Sequence, residues 1–410
     1  MQKPLVIDNG LYTNLAAKMA ETAEVAYYSS WHNSFPTSRE FAPGTGLPNV
    51  ERVDDPITFM LEGKASHVIV PDLYLGGFET LARQLGIPSW GCNGGSEIET
   101  DRWFLKQFLS DNNLPVGYAI QIEGIDGLAE HLQENKNKYV KVSTYRGDLE
   151  TVHHRNWDAS EASWFSSLKH RLGIIGKSMN FIVEDPIPDA LEIGIDTFVR
   201  NGRFDIPALM GVENKDSGYF GFIVDELPEA LGPLVSVLSG YFQQHKYQNF
   251  FSNEMRITKD GTIYMTDATC RVPSPPGGVM MAAIRNLNDV ILNDETPDYG
   301  DARYCYEIVL KSDVVAKDFL QVEFPKKFAD RYAFHNHCVR DGKVWIIPHD
   351  SQYVEFGSAL GWGASKDDAR EMCEEAADAL EADGIRFDKS SLKAAEKEIE
   401  KKGGFLGITA

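Results

Sequence analysis

The segment Glu254-Met-Arg-Ile-Thr-Lys-Asp-Gly-Thr-Ile-Tyr-Met-Thr-Asp267 reads as a β-hairpin that brings two carboxylates together. Asp260-Gly261 predicts a two-residue type I′ turn, because that turn needs φ > 0 at both central residues. So tight a turn places Glu254 directly opposite Asp267. Their Cβ atoms are then roughly 4.5–5.5 Å apart, a spacing at which like charges destabilise a sheet. Period-2 alternation puts Arg256, Thr258 and Thr269 on the same face. Met255, Ile257, Tyr264 and Ala268 make the opposite, core-like face. Paired carboxylates on a polar face call for a cation between them. Oxygen ligands suit Mg²⁺, commonly held by one or two carboxylates together with substrate phosphates. A solvated hairpin whose acids splay apart is the reading that this segment alone leaves open.

The elements that must position such a hairpin follow from the apolar pattern. Leu5-Val-Ile7 and His67-Val-Ile-Val-Pro71 are short apolar runs that predict buried strands. Helical spacing follows each, through Leu11, Leu15 and Met19, then through Leu75, Phe78, Leu81 and Leu85, with Gly86 as a natural stop. Ser96-x-x-Glu99 predicts a capping box for a helix carrying Phe104, Leu105, Phe108 and Leu109, ended by Asn112-Asn-Leu-Pro115. This alternation argues for a parallel sheet of Rossmann type. No GxGxxG follows the first strand, so dinucleotide binding is not indicated.

From residue 118 the pattern changes. Lys138-Tyr-Val-Lys-Val142 and Phe181-Ile-Val-Glu184 read as strands, with a helix through Trp164, Phe165, Leu168 and Leu172 between them. Ile193, Ile195, Thr197 and Val199 alternate as a strand does, a helix covers about 228–244, and the acidic hairpin follows. Further on, Tyr306–Leu310 and Val344–Pro348 are strand-like, and an acidic helix starts at Ser365, with Gly384 as its expected end.

The chain has 410 residues, enough for two to four structural units, and its 43% hydrophobic content supports full cores. A net charge of −21 argues against a duplex nucleic-acid binder, which would need a basic face. No apolar stretch approaches the ~18 residues of a membrane span. The N-terminus runs straight into a strand without a signal-peptide pattern. The 5 cysteines are scattered and lack CxxC spacing, which fits free thiols in a reducing cytoplasm.

Several motifs, in order along nearly the whole chain, resemble the ATP-grasp superfamily and within it the phosphoribosylamine–glycine ligase family. They are Pro43-Gly-Thr-Gly46 with Asn49; Val70-Pro-Asp72 with Leu85-Gly-Ile-Pro88 and Gly91; Glu99-Thr-Asp-Arg-Trp-Phe-Leu-Lys106 ending at Leu114-Pro-Val116; and the hairpin continuing through Asp267-Ala-Thr-Cys-Arg271. The C-terminal Gly363-Ala-Ser-Lys-Asp-Asp-Ala369 region resembles the small domain that closes the family's fold.

The resemblance implies an α/β fold, α+β in part. Its expected divisions are an N-terminal Rossmann-like domain over 1–117, two ATP-grasp subdomains over 118–190 and 191–300, and a small C-terminal domain over 301–410. It implies ATP with Mg²⁺ or Mn²⁺, and small-molecule carboxylate and amine substrates joined through an acyl phosphate. Lys141 takes the place of the family's phosphate-binding lysine. Glu184, with the Asp-Pro-Ile after it, takes the adenine hinge, and Glu192 the ribose acid. Glu254 and Asp267 take the metal positions, and Thr269 stands where the family often has a metal-binding Asn. Arg271 is placed to stabilise the transferring phosphoryl group. The family's Gly-rich phosphate loop is replaced by Ser143-Thr-Tyr-Arg-Gly147, in which Arg146 and the hydroxyls offer phosphate contacts. Arg102 stands where the family has a lysine, keeping the charge but changing the geometry. A kinase-like phosphotransferase and a nucleotide-binding protein without turnover stay open on the same residues.

Two histidine pairs complete the survey. His335 and His337 fall on one face of a strand with Cys338 on the other, and no second ligand pair lies at suitable spacing, which favours a structural role. His153-His154, just after the expected phosphate loop, offers a substrate contact.

Overall fold

The computed structural model describes residues 2–30, 38–91, 94–142, 151–214, 217–349 and 354–402. Arg146 and the whole Ser143–Gly147 segment lie outside the described residues. The chain divides into two compact units, each assembled from separated stretches of sequence. The larger comprises Met1–Gly95, Ile193–Asn253 and Thr269–Ala410; the smaller comprises Ser96–Glu192 and Glu254–Ala268. Compactness therefore cuts across the consecutive segments ending at 117, 190 and 300, and groups the tip of the acidic hairpin with 118–190.

In the larger unit, β1 (Lys3–Asp8), β2 (Val25–Ser29), β3 (Val50–Arg52), β4 (Ala65–Val70) and β5 (Ser89–Gly91) form the expected parallel sheet, ordered β5-β4-β1-β2-β3. Trp90 on β5 packs edge-on against Phe198 and Phe250, with ring centroids 5.7 and 6.4 Å away. The helix Gly76–Gln84 ends as expected, with Gly86 at φ +72°. Among the described residues no helix is long and apolar enough to cross a membrane.

His335 and His337 are both buried, and His337 Nδ1 lies 2.7 Å from the Thr13 hydroxyl. Burial pushes His335 down to about 3 and His337 down to about 4, so both are neutral near pH 7. The acidic helix Lys366–Ala379 is capped by Ser365, whose hydroxyl accepts from Asp368 N at 3.1 Å. It stops at Leu380, before Gly384, because the chain turns extended there to form the two-residue strand Glu381–Ala382.

In the smaller unit, β6 (Ala119–Glu123), β7 (Lys138–Val142), β8 (Thr151–His154) and β9 (Asn180–Glu184) form an antiparallel sheet ordered β6-β9-β7-β8. One face is the core: Val140, Val142, Phe181 and Val183 pack with Leu128, Leu132 and Leu168 from two covering helices. Alternation leaves Tyr139, Lys141, Ile182 and Glu184 for the opposite face. His154 is built into this unit, its ring lying 2.7 Å from Ser160 Oγ and 2.8 Å from Asn135 O.

Two local expectations are corrected here. Ser96 makes no side-chain cap; a short turn over Glu97–Thr100 breaks at Asp101, which caps the helix Arg102–Asp111 by accepting from Trp103 N and Phe104 N, both at 3.0 Å. Asp101 wins because its extended backbone (φ −125°, ψ 94°) aims its carboxylate at the free N–H groups, whereas Ser96 is already helical. The hairpin turn is also not type I′. Gly261 takes φ +83° and Asp260 does not, Gly261 N donates to Thr258 O at 2.9 Å, and Thr258 N donates to Thr262 O at 3.0 Å. The loop therefore holds three residues, with glycine at the bulge position. Asp260 prefers its ordinary backbone region because its carboxylate caps the turn through Thr258 Oγ1 and Thr262 Oγ1.

Burial raises the Asp196 carboxyl to about 7 although the Tyr219 hydroxyl donates to it at 2.8 Å. Between the ordinary carboxylate range and pH 7 the folded protein thus holds a proton at Asp196 that the unfolded chain has lost. That group's contribution to stability falls as pH rises. Relative to the wild type, Asp196→Asn is expected to gain stability from pH 5 to 7, by up to ~1.4 kcal/mol per pH unit. Urea midpoints across that range check this.

Candidate functional site

Strand β7 supplies Lys141 and β9 supplies Glu184. The register sets Lys141 beside Ile182 and Tyr139 beside Glu184, so Lys141 and Glu184 are diagonal neighbours on one face. Long side chains reach across such a diagonal. The Lys141 ammonium lies 3.6 Å from Glu184 Oε2 and donates to Thr266 O, on the hairpin's second strand, at 3.0 Å. The helix Arg102–Asp111 adds two cations one turn apart. Lys106 Nζ lies 2.9 Å from Glu184 Oε1. Arg102 donates to Val142 O at 3.1 Å and lies 3.4 Å from Asp267 Oδ2.

These charges are deeply buried, with Arg102 2%, Lys141 5%, Lys106 7% and Glu184 8% exposed. Burial alone would depress Lys141, but Glu184, Asp267 and Glu254 together hold it above its ordinary value. Burial lowers Lys106 despite its partner Glu184. Burial would raise Glu184, and Lys141 and Lys106 overcome it, keeping the carboxyl below its ordinary range. Three cations thus converge on one carboxylate and on Asp267, in a place nearly closed to water.

The hairpin runs from β14 (Gln248–Ile257) to β15 (Ile263–Thr269), strands reached after β10 (Leu191–Arg200), β11 (Arg203–Phe204), β12 (Ala208–Asn214) and β13 (Gly218–Val224). Its longer loop shifts the pairing by one residue, so Thr266 replaces Asp267 across from Glu254. The Thr266 hydroxyl donates to Glu254 Oε1 at 2.9 Å. Asp267 instead turns to Arg102. Arg256, on the Glu254 face as alternation predicts, pairs with Glu192 and lies 3.5 Å from Glu254 Oε1. Asp185, in the expected adenine hinge, uses its own N–H on Tyr118 O at 3.0 Å, so that donor is already committed.

Lys141, Arg102, Glu184, Glu192, Glu254 and Asp267 therefore all belong to the smaller unit. Thr269 and Arg271 belong to the larger unit, where Arg271 donates to the Tyr12 hydroxyl at 2.8 Å. Among the described residues no three His, Cys, Asp or Glu side chains gather as a self-sufficient metal site. Two carboxylates flanked by buried cations fit a divalent ion only when phosphate oxygens complete its shell. Lys106 closes the Glu99–Lys106 motif, but the sequence reading gave it no part in the site. Its signal was present: it lies four residues after Arg102, on the same helix face.

No protein-family model and no curated protein sequence matches the chain. Solved structures do. Phosphoribosylamine–glycine ligase from Thermotoga maritima superposes with a TM-score of 0.67 at 13% identity, over 94% of this chain and 98% of that one. The biotin carboxylase domain of 2-oxoglutarate carboxylase from Hydrogenobacter thermophilus, solved with magnesium ADP and bicarbonate, gives 0.67 at 12% over the full length of both. The L-amino acid ligase from Bacillus licheniformis gives 0.61 at 16%, over 94% of this chain and 99% of that one. The chain has the ATP-grasp fold. It is a divergent example of it, as identities of this order indicate.

Removing one partner of these buried pairs exposes the charge of the other. Glu184→Gln is expected to cost about 3–5 kcal/mol of unfolding free energy. Because Glu184 is held below its ordinary range, its contribution is present above roughly pH 4.3 and is lost on acidification. Asp267→Asn is expected to cost about 1–3 kcal/mol, since Arg102 loses its carboxylate. A variant as stable as the wild type in urea melts would contradict the pairing concerned.

Proposed function

We propose that this chain is an ATP- and Mg²⁺-dependent ligase that joins a small-molecule carboxylate to an amine through an acyl phosphate, similar to phosphoribosylamine–glycine ligase. One observation carries the reading: the nearly buried cations Lys106 and Lys141 flank Glu184, and the equally buried Arg102 lies 3.4 Å from the more open carboxylate Asp267. Buried cations of this kind compensate polyphosphate charge, and the open acids suit a divalent ion shared with phosphates.

In this reading Lys141 and Arg102 bind nucleotide phosphates. The backbone after Glu184 reads the base edge, and Glu192, paired with Arg256, faces the ribose. Glu254 and Asp267, with Thr269 as a weaker oxygen ligand, would hold Mg²⁺ or Mn²⁺, which supplies charge neutralisation at the phosphates. Arg271 stabilises the phosphoryl group as it transfers to the substrate carboxylate. The amine then displaces phosphate. Positioning and electrostatics do most of this work, as in phosphoryl transfer generally.

Product analysis tests the reaction type. The expected products are ADP and phosphate, with a hydroxamate forming when hydroxylamine replaces the amine. AMP and pyrophosphate would refute the acyl-phosphate route. A phosphorylated product that accumulates without coupling would make the protein a kinase-like phosphotransferase. Lys141→Ala is expected to weaken nucleotide binding roughly 10–100-fold in calorimetry, the loss of one charge-assisted contact. Wild-type affinity in that folded variant would remove Lys141 from the phosphate site.

A further inference from the structure

Resting on the nucleotide-binding reading above, we propose that Lys106 is a positioning residue: by occupying Glu184 it keeps the Lys141 ammonium open to a phosphate. The geometry divides Glu184 unequally between two lysines. Lys106 stands closer, 2.9 Å from Oε1 in an ion pair in which that oxygen accepts no hydrogen bond among the described residues, while Lys141 stands off at 3.6 Å from Oε2. Among the described residues the Lys141 ammonium has one hydrogen-bond acceptor, Thr266 O at 3.0 Å. An ammonium has three donors, so among the described residues two have no acceptor within hydrogen-bond distance.

Without Lys106, the Glu184 carboxylate has one cation left to satisfy it. In so dry a site it would close on Lys141, and a phosphate would have to break that pair first.

A purely structural account does not require a lysine at this position. Lys106 and Arg102 are like charges four apart on one helix, an arrangement that destabilises a helix by itself. An apolar side chain would pack in the same space and leave Glu184 paired with Lys141. The second cation costs desolvation that the fold could avoid, and what it supplies is competition for Glu184.

The test is calorimetric titration of magnesium ADP into four purified proteins: wild type, Lys106→Met, Lys106→Arg and the double variant Lys106→Met with Glu184→Gln. Thermal melts run alongside to verify folding. Lys106→Met is expected to weaken binding about tenfold. Lys106→Arg, which keeps a cation on Glu184, is expected to stay within ~3-fold of wild type. The double variant is expected to recover most of the loss, because the competing carboxylate has lost its charge. Should Lys106→Met melt below the assay temperature, Lys106→Gln takes its place with the same expectation. Wild-type affinity in the neutral single variant overturns the role of Lys106 and leaves the nucleotide site standing. So does a double variant no better than the single. A wild-type protein that binds no magnesium ADP overturns the nucleotide reading and, with it, the part given to Lys106.

Discussion

The smaller unit depends on one constraint, that its buried charges must balance where water cannot help. Glu184 is the pivot, with a lysine on each side. Taking such ions out of water costs several kcal/mol each, and only close, well-oriented partners repay it. This explains why the charged side chains come from four separate stretches of sequence. No single helix or strand could surround a carboxylate with two ammonium groups and still present a guanidinium to Asp267. The sheet supplies Lys141 and Glu184, the helix supplies Arg102 and Lys106, and the hairpin supplies Asp267 and the Thr266 carbonyl. Each element is ordinary in its own pattern. Their convergence gathers three cations and two carboxylates in one nearly buried place.

The hairpin that draws attention in the sequence plays a different part from the one its composition suggests. A like-charged pair directly across a ladder would have been a repulsive contact waiting for a metal. The three-residue loop removes that repulsion by one step of register. Glu254 then rests on a threonine hydroxyl and Asp267 on an arginine. Any divalent ion would have to compete with these interactions, and phosphate oxygens entering with it would release Arg102 from Asp267.

Identities of 12–16% with solved ATP-grasp structures, over nearly the full chain, show how little of the fold rests on particular residues. What persists is alternation and length. The parallel strands are apolar on both faces because helices cover both. The smaller sheet alternates because one face is core and the other meets charge.

Much of this was legible in the residues themselves. The strand and helix order, the Gly86 stop, the Ser365 cap and the side of β7 and β9 that carries charge all follow from local periodicity and backbone preference, which act over a few residues. That Lys141, Glu184 and Asp267 would need charged or polar partners was legible too, because charge on a largely apolar strand is costly to bury alone. The Asp101 cap was not, because two good capping residues lay within one turn and only the backbone path chose between them. Nor was the pairing of Glu254 with Thr266, since a one-residue difference in a turn leaves no trace in composition. The grouping of Glu254–Ala268 with 96–192, and Lys106 closing on Glu184 from a distant helix, belong to the tertiary structure alone. Burial and charge neutralisation depend on what surrounds a group in space, and sequence neighbours say little about that.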